Sequence, residues 1–144
     1  ERAHVAYVKS GYKEGKFTNP YDKLCLKPPG TDFYLIGDVN GFKRVKIFTK
    51  SNPDPFKNPA LREYIEDEMI RNIIVAGVTL TTCVHEAIES ATQIPNLRVI
   101  LSEDCVSYRK EQESAAKFIL KCYASPQDTR VAVVDSRNIV YRLS

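Results

Sequence analysis

Two side chains of this sequence, the thiol of Cys83 and the amine of Lys50, together have the chemistry of a nucleophilic centre. A thiolate attacks a carbonyl carbon, and a nearby ammonium favours the thiolate over the thiol. The attack also needs hydrogen-bond donors for the oxyanion. The backbone N–H of Cys83 and a second N–H from residues 77–79 are the candidates. The residue types therefore predict a cysteine nucleophile beside a lysine.

The group that would carry a proton to a leaving amine is harder to find, although such a step needs a general acid or base. His85 is two positions from Cys83 on the same predicted helix, so its imidazole is expected to point away from the thiol. It is interpreted as a helix-surface or inter-helix residue. The simpler alternative for Cys83 is that it only fills space, since free cysteine is often buried.

A change of pattern around Cys83 predicts where its thiol lies. Residues 72–76, NIIVA, form a short apolar run typical of a buried parallel strand. From about Thr82 the period becomes helical. Cys83 then falls at the carboxyl end of a strand and on the first turn of a helix, the edge where open α/β sheets place active sites. The apolar stripe of this helix comprises Val84, Ala87, Ile88 and Ala91.

Lys50 is expected at the carboxyl end of a strand over residues 44–49. Two prolines interrupt regular structure over residues 51–56, and Asn58 followed by Pro59 predicts the start of a helix. Because the carboxyl ends of parallel strands share one edge of the sheet, Lys50 is expected to converge with the thiol. The inner face of the helix is predicted to comprise Leu61, Tyr64, Ile65 and Met69.

The remaining elements complete an α/β pattern. Strands are predicted at residues 4–8, 97–101 and 129–134, and a helix at 110–123. Strands that alternate with helices predict a parallel sheet covered on both faces. Residues 10–43, rich in Gly and Pro, are either a wall of the site or a solvated insertion. The inner face of the last helix is predicted to comprise Ala115, Phe118, Ile119 and Cys122, which makes Cys122 a core residue.

Composition excludes several classes of function. The 144 residues suffice for one domain. The net charge is only +3, and the sequence contains no run of basic residues that would favour binding to nucleic acid. No apolar stretch approaches the roughly 18 residues of a membrane-spanning helix. The four cysteines lack C-x-x-C spacing and only two histidines occur, so structural zinc is not expected and a reducing, cytoplasmic compartment is favoured. The first residues are neither a signal peptide nor a natural start, so the sequence is expected to begin partway through a longer chain.

Residues 76–84, AGVTLTTCV, resemble the nucleophile motif of the isochorismatase-like cysteine hydrolases. Lys50, with Phe56 six residues on and Leu61 eleven on, resembles the lysine motif of that family. Residues 99–105 and 6–12 resemble two of its strands, so the likeness covers nearly the whole chain in the right order. The resemblance implies one domain over residues 1–144 with a three-layer α/β/α Rossmann-like fold and strand order 3-2-1-4-5-6.

The resemblance also implies roles for residues. The family uses an Asp–Lys–Cys triad, in which Cys83 would form a covalent intermediate and Lys50 would stabilise the thiolate. A cis peptide between Val78 and Thr79 would place the Thr79 N–H in the oxyanion site, and Phe56 would wall the pocket. The implied protein is a homo-oligomer that cleaves a small amide-type or related substrate without a cofactor. No metal is expected, because the Asp/His motif of the nicotinamidase branch is not found.

Two departures from the family pattern leave alternatives open. The triad Asp of the family ends its first strand, which is expected to precede residue 1, so the strands at 4–8 and 73–77 would have unpaired edges. Asp54 and Asp104 are candidate substitutes, but neither is at the family position, and Thr81 stands where relatives are often acidic. The alternatives to a hydrolase are a non-catalytic isochorismatase-like binding module and a redox-sensing thiol protein.

Overall fold

The computed structural model describes residues 4–12, 45–127 and 129–139. The chain divides into two compact units, with the boundary between Arg62 and Glu63, and each is described by itself. Most of the segment at 10–43, predicted as a wall or an insertion, lies outside the described residues. The expectation of a single domain stays a prediction.

The first unit contains two parallel strands. Strand β1, Val5–Ser10, pairs with β2, Val45–Lys50, so that Ser10 lies opposite Lys50. Both predicted strands are confirmed, and each extends further towards its carboxyl end. Beyond β1, the N–H of Gly11 donates to the carbonyl oxygen of Lys50 at 2.8 Å. A Cβ atom at Gly11 would lie 2.6 Å from Cγ2 of Thr49, so any other residue here would require the Thr49 side chain or the backbone to shift.

Helix α1, Pro59–Asp67, begins as the sequence predicted. The Oδ1 of Asn58 accepts a hydrogen bond from the N–H of Ala60 at 3.0 Å, and proline occupies the first helical position. The prediction for Met69 was wrong, because the helix ends at Asp67 and Met69 is 72% exposed with a φ of 51°. The other predicted inner residues, Leu61, Tyr64 and Ile65, are buried.

The second unit contains three parallel strands in the order β3-β4-β5. Strand β3 is Asn72–Val78, β4 is Arg98–Ser107 and β5 is Val131–Val134. The parallel α/β class is therefore confirmed, whereas the strand order of one continuous sheet stays a prediction. Among the described residues, β1 and β3 each have a strand on one side only. No helix in the described ranges is long and apolar enough to span a membrane.

Helix α2, His85–Thr92, packs against β4, and the packing confirms its predicted stripe. The stripe meets the apolar face of β4, where Val99 is 1% and Leu101 0% exposed. Burial of such side chains contributes about 1.5–3 kcal/mol each, which makes this layer the core of the second unit. The stripe residues Val84, Ala87, Ile88 and Ala91 are all buried.

Helix α3, Glu113–Tyr123, presents a different face from the predicted one. Ala116 and Tyr123 are buried, whereas Phe118 is 67% exposed and Ala115 and Cys122 are also exposed. The prediction that Cys122 is a core residue was therefore wrong. The buried face of the helix is displaced from the predicted apolar stripe by one residue, or about 100° around the helix axis. Hydrogen bonds of the Tyr123 hydroxyl accompany this rotation, and they are not visible in hydrophobic periodicity.

Candidate active site

Cys83 lies in a π-helical turn, Leu80–Val84, that joins β3 to α2. The carbonyl oxygen of Thr79 accepts the N–H groups of both Thr82, at 3.2 Å, and Val84, at 3.1 Å. Leu80 and Val84 are buried and anchor the turn, whereas Cys83 is half-buried and not sealed in the interior. The sequence predicted ordinary helix here, so the π turn, a feature common at functional sites, was missed.

The end of β3 brings three of the predicted site residues into one short segment. The peptide bond between Val78 and Thr79 is cis, the bond at which the resemblance implied it. Val78 is 68% exposed, and the hydroxyl groups of Thr79 and Thr82 share a hydrogen bond. Just before them, Gly77 has a φ of 134°, a conformation that side chains rarely adopt. Val78, Thr79 and Cys83 therefore lie together at the carboxyl end of β3.

The hydroxyl of Thr81 is a buried polar atom in the same turn. Its Oγ1 has no hydrogen-bond partner among the residues that the structure describes. A buried polar atom without a partner costs about 1–3 kcal/mol. The sequence singled out this position because relatives are often acidic there, but it gave no sign that the hydroxyl would be unpaired.

Lys50 ends β2 in the first unit and is only 6% exposed. Its Nζ donates a hydrogen bond to the carbonyl oxygen of Pro53 at 2.7 Å. The carboxylate of Asp54, also buried, accepts the N–H of Phe56 at 2.9 Å and caps a 3-10 helix, Pro55–Lys57. Phe56 is 6% exposed, so the lysine motif forms one compact turn with a buried cation, a buried carboxylate and a buried ring.

Asp104, the second candidate carboxylate, belongs to β4 and is engaged with the turn after β5. Its oxygens accept the N–H of Ser136 at 2.7 Å, the Ser136 hydroxyl at 2.5 Å and the Ser102 hydroxyl at 3.1 Å. The bonds from Ser136, together with that from Ser102, hold the pKa of Asp104 at about 2. Through these hydrogen bonds, Asp104 attaches the turn at Ser136 to β4.

His85 begins α2 and contacts α3, which confirms the inter-helix alternative of the two that the sequence offered. Its Nδ1 is 2.7 Å from the hydroxyl oxygen of Tyr123 on α3. The Tyr123 hydroxyl donates to Oε1 of Glu89, also at 2.7 Å. Within the described part of the chain, no three His, Cys, Asp or Glu side chains are grouped so that they could hold a metal ion.

The family follows from a comparison that covers most of the sequence. The family model described as the Isochorismatase domain matches residues 2–130. The chain belongs to the isochorismatase family. It is thus an isochorismatase-like hydrolase by family, and the motifs around Lys50 and Cys83 fall inside the matched range. A search of curated proteins gave no match.

Three solved structures share the fold of this member of the isochorismatase family. An isochorismatase-like hydrolase from Alkaliphilus metalliredigens matches with a TM-score of 0.67 at 17% identity, over 92% of this chain and 69% of that one. N-carbamoylsarcosine amidase from Thermoplasma acidophilum matches with a TM-score of 0.67 at 18% identity, over 94% of this chain and 73% of that one. A nicotinamidase/pyrazinamidase from Bacillus subtilis matches with a TM-score of 0.64 at 16% identity, over 90% of this chain and 74% of that one. At these identities, the structures establish the α/β fold.

Proposed function

We propose that this protein is a cysteine hydrolase that cleaves a small amide-type substrate through a covalent intermediate on Cys83. The observation that carries the proposal is the position of a half-buried thiol in the π turn between β3 and α2. This position combines access for a substrate with the backbone N–H groups at the start of a helix, which favour negative charge. A thiol that only filled space would be sealed among apolar side chains.

The proposed reaction has two steps. The Cys83 thiolate attacks the substrate carbonyl carbon, a C–S bond forms, and the C–N bond breaks as the amine leaves with a proton. Water then adds to the thioester and gives one proton back to the group that protonated the amine. This second step releases a carboxylic acid and returns the thiolate. The N–H groups of Thr79 and Cys83 are proposed to stabilise the oxyanion in both steps. The resemblance implies that the general acid is an aspartate, which in the family stands at the end of the first strand.

Lys50 is proposed to stabilise the thiolate, and its surroundings support this role. A buried ammonium keeps its charge only if polar groups compensate for lost hydration. The Pro53 carbonyl oxygen supplies one such group at 2.7 Å, and it leaves two of the three N–H groups for other acceptors. Phe56, buried in the same turn, is proposed to wall the substrate pocket.

The amide class of substrate is proposed from the neighbours in structure. Two of the three are named for amide cleavage, a nicotinamidase and an N-carbamoylsarcosine amidase. Nicotinamide and N-carbamoylsarcosine are therefore the first probes, with released ammonia as the readout. If one is cleaved, Cys83→Ala is expected to lower kcat at least roughly a thousandfold. We also propose that the enzyme is a homo-oligomer, that it is cytoplasmic and that it needs no cofactor.

The deciding experiment measures the alkylation rate of each thiol with iodoacetamide by mass spectrometry. Cys105 and Cys122 are more exposed than Cys83, so accessibility alone predicts that they react first. An activated thiol reverses this order, and Cys83 is expected to react at least tenfold faster than either. Equal or slower labelling of Cys83 would contradict the proposal and favour the non-catalytic binding module.

A matched pair of lysine variants tests the role of Lys50. Lys50→Met keeps a side chain of similar length without the charge, and it is expected to slow labelling of Cys83 but not of Cys105. Lys46→Met removes an exposed charge from the same strand and should leave both rates unchanged. If both variants slow Cys83 equally, the effect is one of net charge, and Lys50 has no specific role.

A further inference from the structure

His85 is bonded through its backbone to the turn that carries Cys83. The N–H of His85 donates to the carbonyl oxygens of Leu80 and Thr82. The bond to Leu80 closes the π turn, and α2 begins at His85 itself. A π-type bond spans one residue more than an α-helical bond, so the turn is wider than a regular helix. The place of the His85 backbone therefore bears directly on the geometry around the thiol.

The imidazole of His85 is held at the same time by α3. Its Nδ1 lies 2.7 Å from the hydroxyl oxygen of Tyr123, and the two ring centroids are 5.9 Å apart. Tyr123 is 6% exposed, and its hydroxyl donates to Oε1 of Glu89 at 2.7 Å. Residues four apart lie on the same side of a helix, so one hydroxyl of α3 meets both His85 and Glu89. Tyr123 thus fixes the start of α2 against α3.

The π turn is held at two places. Within the turn, Leu80 and Val84 are buried, and directly after it the bonded imidazole of His85 holds the first turn of α2. Regular α-helix is the competing arrangement, since π turns are rare and short. A shift of the turn by one residue would rotate its side chains by about 100° around the helix axis. The orientation of the Cys83 thiol therefore depends on both anchors.

We propose that His85 is a positioning residue for the nucleophile, and that its hydrogen bond to Tyr123 keeps Cys83 in the orientation that stabilises the thiolate. This inference rests on the proposed function of Cys83. Residues two apart on a helix point to different sides, so His85 acts through the backbone of the turn and not on the substrate. Backbone N–H groups at a helix start favour the thiolate only while the sulfur stays near them.

The test replaces the imidazole with two amides of different length. The amide nitrogen of asparagine takes the place of Nδ1, so His85→Asn keeps a donor to Tyr123. Glutamine carries its amide nitrogen further out, at the place of Nε2, so His85→Gln loses that donor. Iodoacetamide is expected to alkylate Cys83 at least about fivefold more slowly in His85→Gln and less than about twofold more slowly in His85→Asn. Exposed Cys105 is the internal reference and should keep its rate.

Tyr123→Phe removes the same hydrogen bond from the side of α3 and keeps the ring. It should therefore slow the alkylation of Cys83 as much as His85→Gln does. Thermal unfolding of all three variants checks that they are folded at the temperature of the assay. A merely structural role has the opposite sign, because a loosened α2 would expose Cys83 and speed its alkylation.

Each outcome decides the inference. Slower alkylation of Cys83 in His85→Gln and Tyr123→Phe, with His85→Asn close to the unmodified protein, supports it. Unchanged or faster alkylation in either of the first two variants, or equal slowing in His85→Asn and His85→Gln, would overturn it. The proposed function fails separately, since it is tested by the rate of Cys83 relative to Cys105 in the unmodified protein.

Discussion

The hydroxyl oxygen of Tyr123 lies 2.7 Å from Nδ1 of His85 and joins α3 to α2. The one hydroxyl hydrogen of Tyr123 is donated to Oε1 of Glu89. The oxygen must therefore accept from His85, which requires a hydrogen on Nδ1. The lone pair of a neutral His85 is then on Nε2, so the tautomer is set by the neighbouring helix.

Tyr123→Phe is predicted to destabilise the protein by about 1–2 kcal/mol, because it removes two hydrogen bonds, one of them to a carboxylate. It should also release the tautomer of His85, which nitrogen NMR of the imidazole reports directly. Tyr108→Phe is the control, since the Tyr108 hydroxyl has no hydrogen-bond partner among the described residues. An unchanged imidazole spectrum in Tyr123→Phe would contradict this account.

Thr81→Val tests whether the buried hydroxyl beside Cys83 is unpaired. Removing an unpaired hydroxyl should change the free energy of unfolding by less than about 0.5 kcal/mol, or increase it. The matched variant is Thr92→Val, where a buried hydroxyl donates to the carbonyl oxygen of Glu89 at 2.8 Å. That variant is expected to lose about 1 kcal/mol in urea unfolding. A loss in Thr81→Val as large as that in Thr92→Val would show that Thr81 has a partner.

Asp104 is predicted to make stability depend on pH in acid. Its pKa of about 2 is below the ordinary 3.8 because Ser136 and Ser102 donate hydrogen bonds to the carboxylate. A lowered pKa in the folded state means that the contribution is complete above about pH 4 and is lost as the pH falls towards 2. Asp104→Asn should therefore lower Tm at pH 7 and flatten the fall of Tm over that window.

The control for this measurement is Glu103→Gln, which changes the exposed neighbouring carboxylate. It is expected to keep the Tm of the unmodified protein at pH 7. If Asp104→Asn and Glu103→Gln shift Tm alike, the effect is a general loss of charge and not the hydrogen bonds to Ser136.

The close approach of Gly11 to Thr49 predicts a pair of compensating substitutions. Gly11→Ala places a methyl group 2.6 Å from Cγ2 of Thr49 and should destabilise the protein by about 1–3 kcal/mol. Thr49→Ser removes that Cγ2 atom, so the double variant should recover most of the loss. A double-mutant cycle by urea unfolding measures the coupling, and an additive result would contradict the contact.

The sequence predicted the position of Cys83 well, because two local signals agreed there. The β-branched run before Gly77 and the apolar stripe after Thr82 each fix one element, and the junction between them leaves little freedom. The π turn was not predictable, since it depends on which backbone N–H groups reach the carbonyl oxygen of Thr79. A hydrogen-bond shift of one residue leaves no mark in hydrophobic periodicity.

Errors at the ends of elements and on α3 have a common physical cause. β4 was predicted to end at Leu101, but it continues to Ser107, and the pairing with β3 shifts register between Val75 and Gly77. The residues after Leu101 are polar, and the carboxylate of Asp104 is satisfied by Ser136 on a distant segment. Such tertiary hydrogen bonds stabilise polar residues in a strand, and only the folded chain reveals them.

Strand β3 is bounded by β4 on one side only among the described residues, and its residues alternate between exposed and half-buried along Asn72–Val78. In a parallel strand, successive amide groups point to opposite sides, so every second one faces away from β4. Those outward amides should exchange with deuterium rapidly, and their neighbours slowly. The strand that leads to Cys83 thus has one row of amides that faces β4 and one row that pairs with no strand of the described ranges.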